Sequence, residues 1–155
     1  MKKFLLVFCI LVFGTIVFAG EQDDAMAFFN SVVNASNTYS PNLSSMYSDS
    51  AKIIRQVIKP DGTLVNVYFS GKDYKDEMKR NAKFAKLVGY KNYYSDTSVS
   101  KAANGYKINA MRRPSPSDYK LKTYMVVAKQ PDGKWVVVEE LMQTKVQTFL
   151  KYATK

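Results

Sequence analysis

The chain has 155 residues, of which 46% are hydrophobic and 23% charged, a composition typical of a folded domain and not of a disordered segment. It contains 23 Lys and Arg against 13 Asp and Glu, which gives a formal net charge of +10, and it has no histidine. The lack of histidine excludes Ser-His-Asp and Cys-His catalysis and the usual near-neutral general base. Glycine-rich phosphate loops and Cys/His metal spacings are also missing, so we expect no metal and no cofactor.

Residues 1–19 have the features of a secretory signal peptide. Two lysines precede an uncharged run over residues 4–19, and we place the cleavage point after Ala19. The alternative is a retained membrane anchor, although the run is shorter than the roughly 20 residues that a spanning helix needs. Cleavage would also remove Cys9, the only cysteine, and would leave residues 20–155 as one domain in the periplasm or outside the cell.

The residue periodicity then predicts an α+β domain that begins with a long helix and a hairpin. Apolar residues at helical spacing from Ala25 onward predict a helix that ends before Tyr39, and a short helical turn follows. From Lys52 the period becomes two, as in a strand, and a second β-rich run covers residues 64–69. Between them, residues 59–63 contain Pro and Gly at positions that favour a hairpin turn.

A second helix and four further strands complete the predicted order. The helix begins at residues 70–72 and extends to about Lys86, with one apolar side that we expect to face the sheet. A helix packed across a strongly curved antiparallel sheet of about six strands is the economical way to bury these faces. The β-like runs are 90–99, 106–112, 120–129 and 135–146. The apolar side of the helix consists of Tyr74, Met78, Ala82, Phe84, Ala85 and Val88.

Three short motifs together resemble those of one superfamily. They are Tyr-Ser-Asp-Ser-Ala at residues 47–51, Ser-Gly-Lys-Asp-Tyr at residues 70–74 and Asp-Gly-Lys-Trp at residues 132–135. In this order they resemble the strand junction, the third-helix entry and the last hairpin of the nuclear-transport-factor-2-like (NTF2-like, also SnoaL-like or cystatin-like) superfamily. The resemblance covers residues 22–147 and implies a cone-shaped cavity between sheet and helices. It implies no single activity, because this fold hosts isomerases, cyclases, dehydratases, secretion-apparatus subunits and binding modules.

Two enzyme types of the resembling superfamily use a catalytic base that this chain lacks. Steroid-isomerase-like members place an Asp four residues after the junction alanine, where this chain has Arg55, and a guanidinium cannot deprotonate a carbon acid at neutral pH. Cyclase-like members often use a His/Asp pair, which this chain cannot supply. The remaining catalytic candidates are Glu139, Glu140 and Asp49. Since neighbouring strand residues point to opposite faces, at most one of the two glutamates can face a cavity, where an apolar surround would raise its pKa and suit it to act as an acid or base. The alternative is that one glutamate faces solvent and the other pairs with a Lys or Arg on a neighbouring strand, with Arg55 as one candidate partner.

The 11 tyrosines suit either an apolar pocket that carries hydroxyl groups or an ordinary β-sheet. We take Tyr47, Tyr68 and Tyr124, together with Arg55, as candidates for a ligand pocket. The three tyrosines lie near junctions that border the cavity in the resembling family.

The clearest electrostatic feature is a lysine stripe on the second helix. Its members are Lys72, Lys75, Lys79, Lys83 and Lys86. At about 100° per residue they fall within an arc of roughly 80°. The stripe is either a solvated helix face or a contact surface for an anionic partner: phospholipid headgroups, an acidic envelope polymer or an acidic protein. Arg112 and Arg113 could add to this surface, and nucleic acid is not expected because no recognition motif is present.

These observations favour an exported binding or interaction module that performs no chemistry. It would hold a small apolar or anionic ligand in its cone, or dock to an acidic envelope component through the lysine stripe. One alternative is an isomerase-, dehydratase- or cyclase-type enzyme that uses a cavity carboxylate and a tyrosine. Another is a subunit of an envelope-spanning assembly, and a homodimer through the open face of the sheet is compatible with each of them.

Overall fold

The computed structural model describes the backbone of residues 5–153 and the side chains of residues 20–153. The predicted signal peptide, residues 1–19, therefore lies outside the residues whose side chains are described. Within the described residues, no helix combines the length and the apolar character needed to cross a membrane.

Two helices and six strands follow one another in the predicted order. They are α1 (Leu5–Asn37), β1 (Tyr47–Ile58), β2 (Leu64–Ser70), α2 (Gly71–Leu87), β3 (Asn92–Ala102), β4 (Gly105–Pro114), β5 (Leu121–Lys129) and β6 (Trp135–Thr144). Short 3-10 helices lie at Leu43–Met46 and Gln147–Tyr152. The predicted end of the first helix and the short turn after it are confirmed. The first strand begins at Tyr47, earlier than predicted, so the junction motif is already part of β1.

The strands form one six-stranded sheet in the order β2-β1-β6-β5-β4-β3. All neighbours are antiparallel except β1 and β6, which are parallel, so the prediction of an antiparallel sheet is wrong for this pair. The reason is the path of the chain. After β2 the chain crosses to the far edge through α2, and three antiparallel steps from β3 then bring β6 beside β1 in the same direction.

The predicted hairpin turn joins β1 to β2, a second Pro-Asp-Gly turn joins β5 to β6, and each needs its glycine. Gly62 and Gly133 have φ values of +85° and +84°, which L side chains rarely adopt. In each turn the preceding aspartate accepts a hydrogen bond from a backbone N–H two residues later, at 2.9 Å for Asp61 and 3.1 Å for Asp132. The Pro-Asp-Gly sequence therefore specifies these turns locally.

One face of the sheet, which we call the helix-covered face, carries the core. Its strand residues include Ile53, Ile108 and Val127, which form one buried cluster with Phe29 and Val32 of α1. The opposite face, which we call the open face, carries the alternate strand residues. The sheet is curved and unclosed, and register shifts in the pairings of β1 with β6, β3 with β4 and β5 with β6 mark irregularities of the kind that bend strands.

The first half of helix α2 packs against the sheet. The side chain of Ser70 accepts a hydrogen bond from the Asp73 N–H at 3.1 Å and caps the helix. A Cβ atom at Gly71 would lie 2.0 Å from the backbone oxygen of Ser48, so only glycine permits this approach to β1. Tyr74 and Met78 of the predicted apolar side pack against the core, as expected.

The second half of α2 differs from the prediction. Phe84 and Val88 were expected to face the sheet, but they are 66% and 55% exposed, and Ala82 is exposed as well. At about 100° per residue, Phe84 is turned by roughly 100° from Tyr74 and Met78, the residues that contact the core. The apolar side predicted from the sequence was therefore too broad.

Candidate functional site

A buried ion pair lies at the centre of the helix-covered face. Arg55 on β1 donates from Nη1 to Oε1 of Glu140 on β6 at 2.8 Å, and the two side chains are 7% and 2% exposed. Because strand residues alternate, Glu139 lies on the open face, so only one of the two glutamates faces the interior. The pairing of an interior glutamate with Arg55 is confirmed.

Two tyrosines complete the surroundings of this pair. The Tyr47 hydroxyl donates to Oε2 of Glu140 at 2.6 Å, and the Arg55 guanidinium lies 4.7 Å from the centre of the Tyr74 ring. Burial raises the pKa of Tyr74 to about 12, and burial together with the Glu140 carboxylate raises that of Tyr47 well above 10. Both phenols therefore remain protonated near neutral pH.

A second guanidinium is buried nearby on β4. Arg112 is 2% exposed, and it donates from Nη1 to Asn92 Oδ1 at 2.8 Å and from Nη2 to the Gln143 carbonyl at 2.7 Å. Its Nη1 also lies 3.3 Å from the Tyr90 hydroxyl. Asn92 is held in turn by Asn37 at the end of α1 through two hydrogen bonds, at 2.8 and 2.9 Å. The third nitrogen, Nε of Arg112, is buried without a partner in the described part of the chain.

The position of Arg112 corrects the sequence analysis, which grouped it with Arg113 on the surface. Arg112 is in phase with Tyr106, Ile108 and Ala110 along β4, and all four are buried on the helix-covered face. This alternation was visible in the sequence. We missed its meaning because adjacent arginines beside a proline-rich loop are typical of a solvated loop base.

The interior is therefore cationic. Among the described residues, the buried charged side chains are Arg55, Arg112 and Glu140, so the formal charge is +1. The hydroxyl groups of Tyr74 and Tyr94 make no hydrogen bond within residues 20–153. Both rings are close enough to Arg112 and to Glu140 for these charges to influence their pKa values, which burial raises.

The other candidates lie elsewhere. The Asp49 side chain is 77% exposed and bonds to Lys75 Nζ at 2.6 Å, a contact that lowers the pKa of Asp49. It therefore cannot serve as a cavity carboxylate. Tyr68 is 53% exposed, and Tyr124 donates to Glu139 Oε1 at 2.5 Å on the open face. Of the four pocket candidates, the structure thus brings Tyr47 and Arg55 together. It places Tyr68 and Tyr124 on the other side of the sheet.

The surface of the described residues includes a groove and a smaller hollow. A groove of about 430 Å³ on the open face is lined by Gln56, Asn109, Met111, Lys122, Tyr124 and Gln143, among others. A hollow of about 300 Å³ beside α2 is lined by Asp49, Lys72, Lys75, Asp76 and Lys79. The second hollow belongs to the lysine stripe, whose members are exposed except for the partly buried Lys75.

Known structures provide a comparison for this architecture, although no protein-family model and no curated protein matches the sequence. An NTF2-like protein of unknown function from Pseudomonas putida superposes with a TM-score of 0.62 at 12% identity, over 79% of this chain and 85% of that chain. An NTF2-like protein with a cystatin-like fold from Novosphingobium aromaticivorans gives 0.59 at 8% identity, over 84% and 86%. A putative ketosteroid isomerase from Shewanella frigidimarina gives 0.51 at 12%, over 76% and 92%. At these identities the likeness concerns the fold alone.

Proposed function

We propose that this protein, which has the NTF2-like fold, is an exported, non-catalytic binding module whose interior holds a small anionic ligand. The observation that carries the proposal is the Arg112 guanidinium, which is buried and whose Nε–H has no acceptor among the described residues. A buried cation without a matching anion is destabilising by several kcal/mol, and an unmade buried hydrogen bond adds to this. A ligand with an anionic oxygen would relieve both costs.

The charge balance supports Arg112, and not Arg55, as the group that receives the ligand. Both oxygens of Glu140 are already engaged, Oε1 by Arg55 and Oε2 by Tyr47. Arg112 has only neutral acceptors, from Asn92, Tyr90 and a backbone carbonyl. A guanidinium binds planar carboxylates and phosphates particularly well, because its N–H groups match their geometry.

The surroundings indicate what kind of anion would fit. The hydroxyls of Tyr74 and Tyr94 are available as further donors, and Tyr94 packs edge-on against Phe29 with ring centres 5.4 Å apart. Apolar side chains of α1 and the sheet form the core next to these groups. We therefore infer a carboxylate or phosphate attached to a small apolar body.

The same contacts argue against an enzyme. A carboxylate beside a tyrosine deep in the interior is the arrangement that a proton-transfer enzyme would use, and Glu140 beside Tyr47 has those residue types. In this carboxylate, however, Oε1 already accepts from Arg55 and Oε2 from Tyr47, and its side chain is 2% exposed. Taking a proton from a substrate would require breaking the buried ion pair. Glu139 and Asp49 do not face the interior.

Benzoate and inorganic phosphate are suitable probes of this function, with benzyl alcohol as the neutral analogue of benzoate. We expect at least one anion to raise the melting temperature, because a ligand that binds only the folded state stabilises it. In Arg112→Gln the affinity should fall about ten- to a hundredfold, since a hydrogen bond to a charged group contributes about 1.5–3 kcal/mol. Arg112→Lys keeps the charge without the guanidinium and should give an intermediate loss.

Arg113→Gln is the matched control, because its side chain points away from the interior and stacks on Tyr93. It should bind the anion as the unaltered protein does. Equal stabilisation by benzyl alcohol, or an unchanged anion affinity in Arg112→Gln, would refute the proposed site. The melting temperatures without ligand show whether each variant is folded.

Export rests on the signal features of residues 1–19. We expect protein isolated from the envelope of its host to begin at Gly20. Mass spectrometry of the intact chain measures this directly. A chain that retains Met1 would contradict cleavage and would favour the anchored alternative.

A further inference from the structure

The second half of α2 carries bulky apolar side chains that nothing in the described fold covers. Of residues 79–88, all but Ala85 are exposed. Phe84, Leu87 and Val88 are 66%, 83% and 55% exposed, although such residues usually pack into a core. Clustered exposed apolar residues mark surfaces that contact a partner or a membrane.

Basic residues surround these apolar side chains. Residues 79–91 contain Lys79, Arg80, Lys83, Lys86 and Lys91, and no acidic residue. Arg80 pairs with Glu77 at 2.7 Å, and Lys75 in the first half of the helix pairs with Asp49. Within residues 20–153, Lys79, Lys83 and Lys86 have no carboxylate partner. Three lysines without an ion-pair contact in this part of the chain therefore adjoin an exposed apolar cluster.

The geometry of the helix places both kinds of residue on one side. At about 100° per residue, the direction opposite Tyr74 and Met78 falls between Lys83 and Leu87. Lys79 lies on one flank of this direction and Phe84 on the other. If α2 lay along a flat surface with its core side uppermost, apolar and cationic groups would meet that surface together.

From this we propose that the second half of α2 docks on an anionic phospholipid bilayer. The lysines contact the headgroups, and Phe84 and Leu87 enter the interface. This role is independent of the interior ligand. Shallow insertion of a few apolar side chains combined with lysines is the pattern by which amphipathic helices bind membrane surfaces, where the long lysine stems extend back to the polar layer.

A bilayer fits this surface better than a protein does. A stable protein interface buries about 800 Å² on each partner, and its centre is depleted of lysine. Here the apolar cluster is three side chains long, and lysines interrupt it. An acidic protein or a second copy of this chain would therefore be a poorer occupant.

Tryptophan fluorescence can locate this contact in the full chain. Phe84→Trp is mixed with phosphatidylcholine vesicles that contain brominated acyl chains, with or without phosphatidylglycerol. The chain already contains Trp135, which packs near Tyr106 at the core. Its fluorescence is recorded with the parent chain and subtracted from that of the variant. We expect a blue shift and quenching at position 84 only when phosphatidylglycerol is present.

Leu64→Trp is the matched control, because Leu64 is 50% exposed on β2. It should show no quenching with either vesicle. Any binding by the apolar N-terminal segment would be common to both variants and would not quench position 84. Quenching at position 84 that is absent, or equal in neutral and anionic vesicles, would overturn the proposal.

The lysines are tested by sedimentation with the same vesicles. Each lysine near an anionic surface contributes about fivefold in affinity, so a triple change of Lys79, Lys83 and Lys86 to Gln should weaken partitioning about a hundredfold. A triple change of the exposed Lys122, Lys129 and Lys134 to Gln removes the same charge and should leave partitioning unchanged. Equal losses in both variants would indicate attraction by net charge alone and would contradict a docking surface on α2. A dimer abolished by Phe84→Ser would assign the surface to a second copy instead.

Discussion

Glu140→Gln is expected to lower the free energy of unfolding by about 3–5 kcal/mol. The substitution keeps the size of the side chain but leaves the buried Arg55 guanidinium, now 2.8 Å from Oε1, without an anion. It also weakens the acceptor of the Tyr47 hydroxyl. Urea unfolding followed by circular dichroism measures the change.

The double variant Arg55→Met with Glu140→Met should recover most of this loss. Replacing a buried ion pair by apolar residues of similar volume is often neutral or stabilising, whereas removing one partner leaves a buried charge. Glu139→Gln is the neighbouring control on the open face, where it removes a charge and weakens the acceptor of the Tyr124 hydroxyl. A double variant as unstable as the single one would show that the cost arises from packing and not from charge.

The second large effect is expected in alkaline solution. Burial raises the pKa of Tyr47, Tyr74 and Tyr94, so the folded state keeps protons that the unfolded state releases above about pH 10. This stabilising contribution is complete below pH 10 and is lost as the pH rises through the folded-state values. Between about pH 10 and 11, each tyrosine should reduce the free energy of unfolding by about 1 kcal/mol, or about 3 kcal/mol in total.

Lysines also titrate in this range, so the tyrosine contribution is isolated by comparison with a variant. Tyr94→Phe removes a hydroxyl that has no hydrogen bond within the described residues and should fold normally at neutral pH. Its unfolding free energy should fall by about 1 kcal/mol less than that of the unaltered protein over the same interval. Equal pH dependence in both proteins would mean that Tyr94 is not buried as the structure shows it.

Much of the fold could be predicted because its signals are local. The Pro-Asp-Gly turns, the Ser70 cap and the period-two runs each act within a few residues of the chain. The motif resemblance extended these elements to the NTF2-like fold, which the structural comparisons confirm. Alternation also assigned Glu139 and Glu140 to opposite faces.

The candidate site was harder to predict, because its members come from distant parts of the chain. Arg55 stands where a steroid isomerase would have its base, and the sequence could suggest, but not decide, that Glu140 lies beside it. Arg112 was missed, and Tyr68 and Tyr124 were expected on the wrong side of the sheet. In each case the local sequence did not specify which face of the sheet the helices cover.

The amino-acid sequence by itself determined the turns, the helix start at Ser70 and the alternation of side chains along each strand, since backbone geometry decides these over a few residues. Only the tertiary structure decided which set of alternating residues is buried, because that depends on where α1 and α2 pack. It also decided the parallel pairing of β1 with β6, since this joins strands separated by about half of the chain. The cationic interior around Arg112 and the exposed apolar residues in the second half of α2 both follow from that packing.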